Sequence, residues 1–416
     1  MSRFARVHVV GAGMAGLAAA VRLAGAGVAV VLHEAAPQAG GRCRSYFDAS
    51  LGCRIDNGNH LLLSGNRSTM RYLAAVGAMD RLTGPAEAAF PFLDLATGER
   101  WVLRPGPGVL PWWVFDRARR VPGTRARDYL AALRLRVARP DQVVSDVLDR
   151  QAPLFRRFWQ PLTVAALNTQ AREASAAMLA RVMAETFAKG GAACRPLVPK
   201  EGLSEALVDP ALAYLEARGV TVRFAARLRA VALGDGAATA LGFETGSEPL
   251  GADEALLLAV PAPVAARLVP GLVAPEAFRA IVNAHYRVAV PDDRPLFVGI
   301  IGGTAEWVFR KREVLSVTVS AADRLVDSPA DELGLRLWRD VEQAYALPPQ
   351  PMPPAQIVKE RRATFAATPA ALARRPPPRT RWRNLVLAGD WTGTGLPATI
   401  EGAVRSGQAA ADLLLA

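Results

Sequence analysis

The chain has 416 residues, a formal net charge of +12, three cysteines and four histidines. Its length supports two domains, each with its own core. Cys43, Cys53 and Cys194 lack paired or metal spacing, which excludes a disulfide framework and fits a reducing cytoplasm. No apolar run reaches the ~20 residues of a bilayer-crossing helix, and His8, His33, His60 and His285 are too scattered in sequence to suggest zinc, so no metal is expected.

Residues 6–10 form a β-branched apolar run that reads as a buried strand. Gly11, Gly13 and Gly16 follow at G-x-G-x-x-G spacing: the first permits a tight turn, the second lets backbone approach a pyrophosphate, the third lets helix pack on strand. The helix predicted over 17–24 would offer N–H groups, with Met14 and Ala15 at its start, to phosphate. The glycines in the Val9–Val21 run argue against a secretory signal peptide. A second strand over 28–32 leads to Glu34, about 20 residues past the glycines, where an acid can accept ribose hydroxyls. Gly40, Gly41 and Arg42 come next. Two glycines clear a path for an arginine to bend back to the pyrophosphate, which favours FAD over NAD.

Between 100 and 140 lie ten arginines against Asp116 and Asp128, together with Val109-Leu110-Pro111-Trp112-Trp113-Val114-Phe115. Such a stretch fits an anionic membrane surface and a location peripheral to the inner face of the cytoplasmic membrane. The alternative is that the tryptophans are core and the arginines solvated; no nucleic-acid recognition module is present. Phe155, Phe158 and Trp159 read as one core-facing helix stripe. Helix is predicted over 201–218 and strands over 220–224 and 255–261. Gln356-Ile357-Val358 reads as strand, and Lys359-Glu360 after it faces either the site or solvent, with solvent preferred.

Near the C-terminus, 384–388 reads as a strand ending at Gly389-Asp390, where the aspartate can hold a ribityl hydroxyl. Trp391 is a candidate wall beside a flavin. Pro397 suits the first turn of a helix running to Leu415, whose start (Pro397, Ala398, Thr399, Ile400) would face the flavin and stabilise its reduced, anionic form. No cysteine lies near 389–402, so attachment would be non-covalent. No second glycine motif follows a strand, which leaves free NAD(P)H or a partner reductase as electron source.

Motif groups at opposite chain ends resemble the flavin-containing amine oxidase superfamily, which includes carotenoid desaturases. The resemblance implies an α/β plus α+β fold. A discontinuous Rossmann-like FAD-binding domain would comprise 1–75, 196–265 and 383–416, and an inserted mixed sheet with a helical substrate domain would comprise 76–195 and 266–382. By similarity Leu228 presents its backbone to adenine. The stretches 55–66, 158–162, 167–169 and 395–402 are similar to the hydroxysqualene dehydroxylases. That likeness implies an isoprenoid substrate and loss of water after hydride transfer from reduced flavin. It places Asn57, Gly58 and Asn59 against the cofactor, and His60 as general acid, arranged by Asp56, Asn57 or Asn59, because a histidine of near-neutral pKa can donate at working pH. Asn168 and Thr169 would orient the hydroxyl. The rivals are an oxidative carotenoid-type desaturase of the same fold, an amine oxidase, for which the paired aromatics are missing before the last helix, and a non-catalytic isoprenoid carrier, against which the intact GGR and GD elements argue. Oligomeric state, including a homo-oligomer, stays open.

Overall fold

The structure is a computed structural model describing residues 4–416. Strand β1 (Arg6–Val10), helix α1 (Met14–Gly25) and strand β2 (Ala29–His33) form the opening unit. They seed a five-stranded sheet in the order Thr221–Arg223, β2, β1, Glu254–Leu258, Leu385–Leu387. Every neighbouring pair is parallel. Strands covered on both faces read as continuous apolar runs, as Ala255–Leu258 does, and as Val7–Val10 does but for buried His8.

One face of this sheet carries α1 and the C-terminal helix Ile400–Leu415. These two helices touch through backbone: a β-carbon on Gly407 would stand 2.0 Å from the Ala15 carbonyl oxygen. The other face carries a three-stranded antiparallel meander, Leu228–Gly234, Ala237–Phe243 and Gly246–Pro249, whose Leu241 packs with Leu256 and Leu258. Under the meander the strand register brings His8 and His33 together, Nδ1 to Nε2 at 3.1 Å, with a Glu248 oxygen within 4.8 Å. Their separation in sequence concealed this meeting. The hydrogen bond between the rings accounts for it, and burial pushes His33 down to about 3, so its ring is neutral.

A second, seven-stranded mixed sheet runs Ala355–Phe365, Phe278–Arg287, Val314–Val319, Trp307–Lys311, Phe297–Ile301, Phe90–Asp94, Arg100–Leu103. Helix Ala330–Tyr345 closes its outer face with Leu337, Trp338 and Val341. A helical layer, including Gln160–Leu167 and Ala176–Glu185, packs at its other end. The expected combination of a Rossmann-like sheet with an inserted mixed sheet and helices is what the chain adopts.

Two expectations shift. The last helix begins at Ile400, not Pro397; Thr399 caps it, its hydroxyl accepting from Gly402 N at 3.1 Å, so Pro397 stands in the preceding turn. The helix predicted over 201–218 divides into a wide π-turn, Ser204–Val208, and Asp209–Glu216. The stripe Phe155–Trp159 is also a π-turn, followed by Gln160–Leu167. In both cases a proline, Pro210 or Pro161, sits near the start of the following helix. Lacking an N–H, it cannot continue the regular ladder, and the preceding turn widens. Phe155, Phe158 and Trp159 are nevertheless all buried.

Candidate active site

The C-terminal ends of the parallel strands open into a cavity of about 1060 Å³ that continues along the mixed sheet and the helical layer. This exceeds the roughly 300–1,000 Å³ usual for one small ligand, so a cofactor and a second molecule can share it.

At the glycine turn the three positions differ. Gly11 has φ +103°, and a β-carbon there would lie 2.5 Å from the Ala259 carbonyl oxygen. On Gly16 it would lie 1.8 Å from the Gly11 oxygen. On Gly13 it would meet nothing within 4 Å, because that position faces the cavity beside Met14 and Ala15. Glu34 is held by two backbone amides: Ala12 N donates to one oxygen at 2.7 Å and Ala36 N to the other at 2.8 Å. Its carboxylate borders the cavity. Gly40 and Gly41 have φ +103° and +54°, a path that favours glycine, and Gly40 N donates to Ala12 O at 2.8 Å. The GGR turn is thus docked on the first glycine loop.

Arg42 was expected to reach back to a pyrophosphate. Its guanidinium instead bonds Asp390 Oδ2 at 2.6 Å and also the Ala363 carbonyl. Asp390, expected to hold a ribityl hydroxyl, is the partner that keeps Arg42 charged. The first and last motif groups are therefore joined directly. Gly389 N donates to Ser406 Oγ at 2.9 Å, which seats the strand end on the last helix. Trp391 contributes to the cavity wall, with Nε1 fixed to Val260 O at 2.9 Å. Pro397, Ala398, Thr399, Ile400 and Leu228 also border the cavity. Asn57, Gly58 and Asn59 lie opposite. Asn59 donates to Thr318 Oγ1 at 3.1 Å, while its buried Oδ1 has no partner. Open space over Gly13, the oriented Glu34 and this orphaned acceptor fit a flavin cofactor.

His60 borders the cavity but does not suit the role of acid. Burial pushes its pKa down to about 4, only partly offset by the Gly58 carbonyl and Asp56. Its Nδ1 lies 3.3 Å from Gly58 O, which can only accept, so the proton sits on Nδ1 and Nε2 is left as an acceptor. Asp56 does not arrange it. That carboxylate is taken up by Lys311, by Ser45 Oγ at 2.6 Å and by Leu203 N at 2.8 Å. Asn168 is likewise committed. It ends helix Gln160–Leu167 with φ +46°, donates to Thr364 Oγ1 at 2.9 Å and accepts from Ala321 N at 2.6 Å. It ties the helical layer to the mixed sheet rather than presenting a free amide. Thr169 similarly accepts from Ala367 N at 2.9 Å.

Three contributors escaped the sequence reading. Glu360, for which solvent was preferred over the site, faces the cavity; strand alternation marks it as opposite Lys359 but does not say which face is inside. Among the described residues, the other cavity carboxylates, Glu34, Glu185, Asp390 and Glu401, are all bonded, while Glu360 has neither ion pair nor hydrogen bond. Arg375, in a proline-rich joint, shapes the flavin-end loop by donating to Leu396 O at 2.7 Å, Asp390 O at 2.9 Å and Thr394 Oγ1 at 2.8 Å. Glu401 accepts from Ser68 N at 3.0 Å and from Thr69 N and Oγ1 at 2.8 Å, capping helix Arg67–Ala75.

A profile of the flavin containing amine oxidoreductase family matches residues 14–415. The hydroxysqualene dehydroxylase of Rhodopseudomonas palustris is 52% identical over 413 residues, covering 99% of this chain and 98% of that protein. That of Zymomonas mobilis is 46% identical, covering 98% of each. Among solved structures, the cyclohexylamine oxidase of Brevibacterium oxydans superposes with a TM-score of 0.71 at 16% identity, covering 99% of both chains. A putrescine oxidase does so at 0.65 and 17%, covering 98% of each, and these likenesses speak for the fold alone. With its glycine turns, helix termini and full-length relatives all in agreement, the chain is a flavin enzyme that belongs to the flavin-containing amine oxidoreductase family and, within it, to the hydroxysqualene dehydroxylases.

Proposed function

We propose that this chain binds FAD non-covalently and removes the allylic hydroxyl of hydroxysqualene reductively, giving squalene and water. The observation that carries this reading is a single cavity joining the glycine turn to a wall containing Phe90, Phe92, Phe158, Phe187, Trp307 and Phe309. A long hydrocarbon can lie along that wall while its oxygen-bearing carbon stands at the polar end.

Reduced FAD, when bound, supplies a hydride; the C–O bond breaks, the carbon takes the hydride, and the oxygen leaves with a proton as water. The residues do the rest. Gly13, the α1 start and Glu34 hold the dinucleotide, and the Ile400–Leu415 N-terminus favours the anionic reduced form by about 0.3–2 kcal/mol. The aromatic wall excludes water from a carbon that becomes electron-poor, and ring faces stabilise such charge by about 0.5–2 kcal/mol. Glu360, whose carboxylate faces the cavity without a hydrogen bond or ion pair, relays a proton drawn from solvent to the departing oxygen. His60 Nε2, an acceptor, orients the hydroxyl beforehand. NAD(P)H or a partner reductase regenerates reduced flavin.

The test is anaerobic: photoreduce the flavin, add hydroxysqualene, and follow reoxidation with squalene formation. Flavin that stays reduced rejects the reaction. Desaturation of phytoene by the oxidised enzyme would favour the oxidative alternative.

A further inference from the structure

The surface between residues 109 and 137 is unlike the rest of the molecule. Among the described residues, twelve large apolar side chains are exposed, and seven lie in this one segment. Its first turn presents Val109, Leu110, Trp112 and Phe115, the last two 69% and 66% exposed; its helical part presents Leu130, Leu133 and Val137. The segment is not short of inward anchors, since Val114, Val121 and Leu135 are buried. The outward set is therefore surplus to the core. The alternative that the tryptophans are both core fails at Trp112 and holds only for half-buried Trp113.

Around these side chains stand exposed Arg117, Arg125, Arg127, Arg134 and Arg136. The two acids among them are turned to the backbone: Asp116 accepts from Ala118 N at 2.9 Å and Asp128 from Arg125 N at 2.7 Å. Apolar tips within a cationic rim complement an anionic lipid headgroup layer over a hydrocarbon interior. No helix among the described residues is long and apolar enough to cross a membrane, so contact through this face is interfacial.

The underside of the segment packs against the cavity wall. Trp113 meets Tyr129 edge-on at 5.3 Å, Tyr129 meets Phe158 at 6.4 Å, and Phe158 meets Phe187 at 5.6 Å. Phe158 and Phe187 both line the cavity. We infer that residues 109–137 seat the enzyme on an anionic phospholipid bilayer, with Trp112, Phe115, Leu133 and Val137 entering the hydrocarbon boundary, and that the cavity loads from this side. The loading part rests on the isoprenoid substrate proposed above; the seating does not.

Flotation of the FAD-loaded full chain with vesicles tests it. Binding to vesicles of phosphatidylcholine with roughly one-third phosphatidylglycerol is expected to exceed binding to phosphatidylcholine alone by about tenfold or more, and to weaken with salt. A Trp112→Ala/Phe115→Ala double variant should bind about tenfold or more weakly, with unchanged melting temperature and flavin absorbance. Its turnover should fall for hydroxysqualene presented in anionic vesicles and persist for hydroxysqualene in detergent micelles. Absence of flotation, or flotation of the double variant equal to wild type, overturns the seating. So does a concentration-dependent dimer that the double variant abolishes while vesicles are ignored, since the face would then be a self-association surface. If neither delivery supports turnover in the wild type, the proposed reaction fails, while flotation still decides the surface.

Discussion

Gly13 and Gly16 occupy one turn, yet a methyl group added to each should do different damage. At Gly16 the new carbon would be 1.8 Å from the Gly11 carbonyl oxygen, and both are backbone, so α1 must move off β1. Overpacking of this kind costs about 1–3 kcal/mol, more where backbone must yield. A Gly16→Ala apoprotein should melt several degrees lower, at about 2 °C per kcal/mol for a chain of this size. At Gly13 nothing lies within 4 Å and φ is −75°, so alanine fits the apoprotein. The only structural cost is exchange of glycine for alanine at a helix N-cap, about 1 kcal/mol or less. The methyl would instead stand where a phosphate must approach the amides. One charge-assisted hydrogen bond is worth about 1.5–3 kcal/mol, so FAD should bind about 10- to 150-fold more weakly. Thermal melts of the two apoproteins and FAD titration by fluorescence quenching separate the effects. Tight FAD binding by Gly13→Ala, or a wild-type melt for Gly16→Ala, would refute the placement of the phosphates over this turn.

Other outcomes follow from the site. Glu360→Gln should slow flavin reoxidation by hydroxysqualene about 10²-fold, whereas His60→Ala should leave more of that rate; the reverse order would transfer the acid role back to His60. Glu401→Gln replaces an acceptor of four hydrogen bonds, the fourth from Arg405, with one that offers a single oxygen, and should destabilise by about 2–4 kcal/mol in urea unfolding; an unmoved midpoint would dismiss the cap. His33, His60 and His285 are held neutral, near 3, 4 and 4, chiefly by burial. Since each would titrate near 6.5 when unfolded, the unfolded chain takes up more protons in that interval. Stability should be full above pH 6.5 and decline as pH falls toward 4; a flat urea midpoint across that range would contradict the burial described.

The dinucleotide loop was legible because its chemistry is local. Strand, three spaced glycines, helix and Glu34 are set by backbone geometry within one short unit, and the strand ending at Gly389-Asp390 reads equally well. What failed depended on tertiary placement. Asn168 looked like a free polar group because nothing local reveals that Thr364 and Ala321 consume it. His60 looked like an acid because the reference pKa of histidine ignores the burial that the cavity imposes. Glu360 sits on a strand whose alternation was plain but whose inner face depends on which sheet it joins. Arg375 lay in a proline-rich joint that composition marks only as a loop, and His8 and His33 meet only through the register of two parallel strands.

The ion pair between Arg42 and Asp390 spans nearly the whole polypeptide. A further 348 residues must therefore be made after Arg42 before the opening turn acquires its counterpart, and Gly407 can settle on Ala15 only after that. A nascent chain must consequently shelter its half-covered first helix until residues 400–415 emerge to cover it.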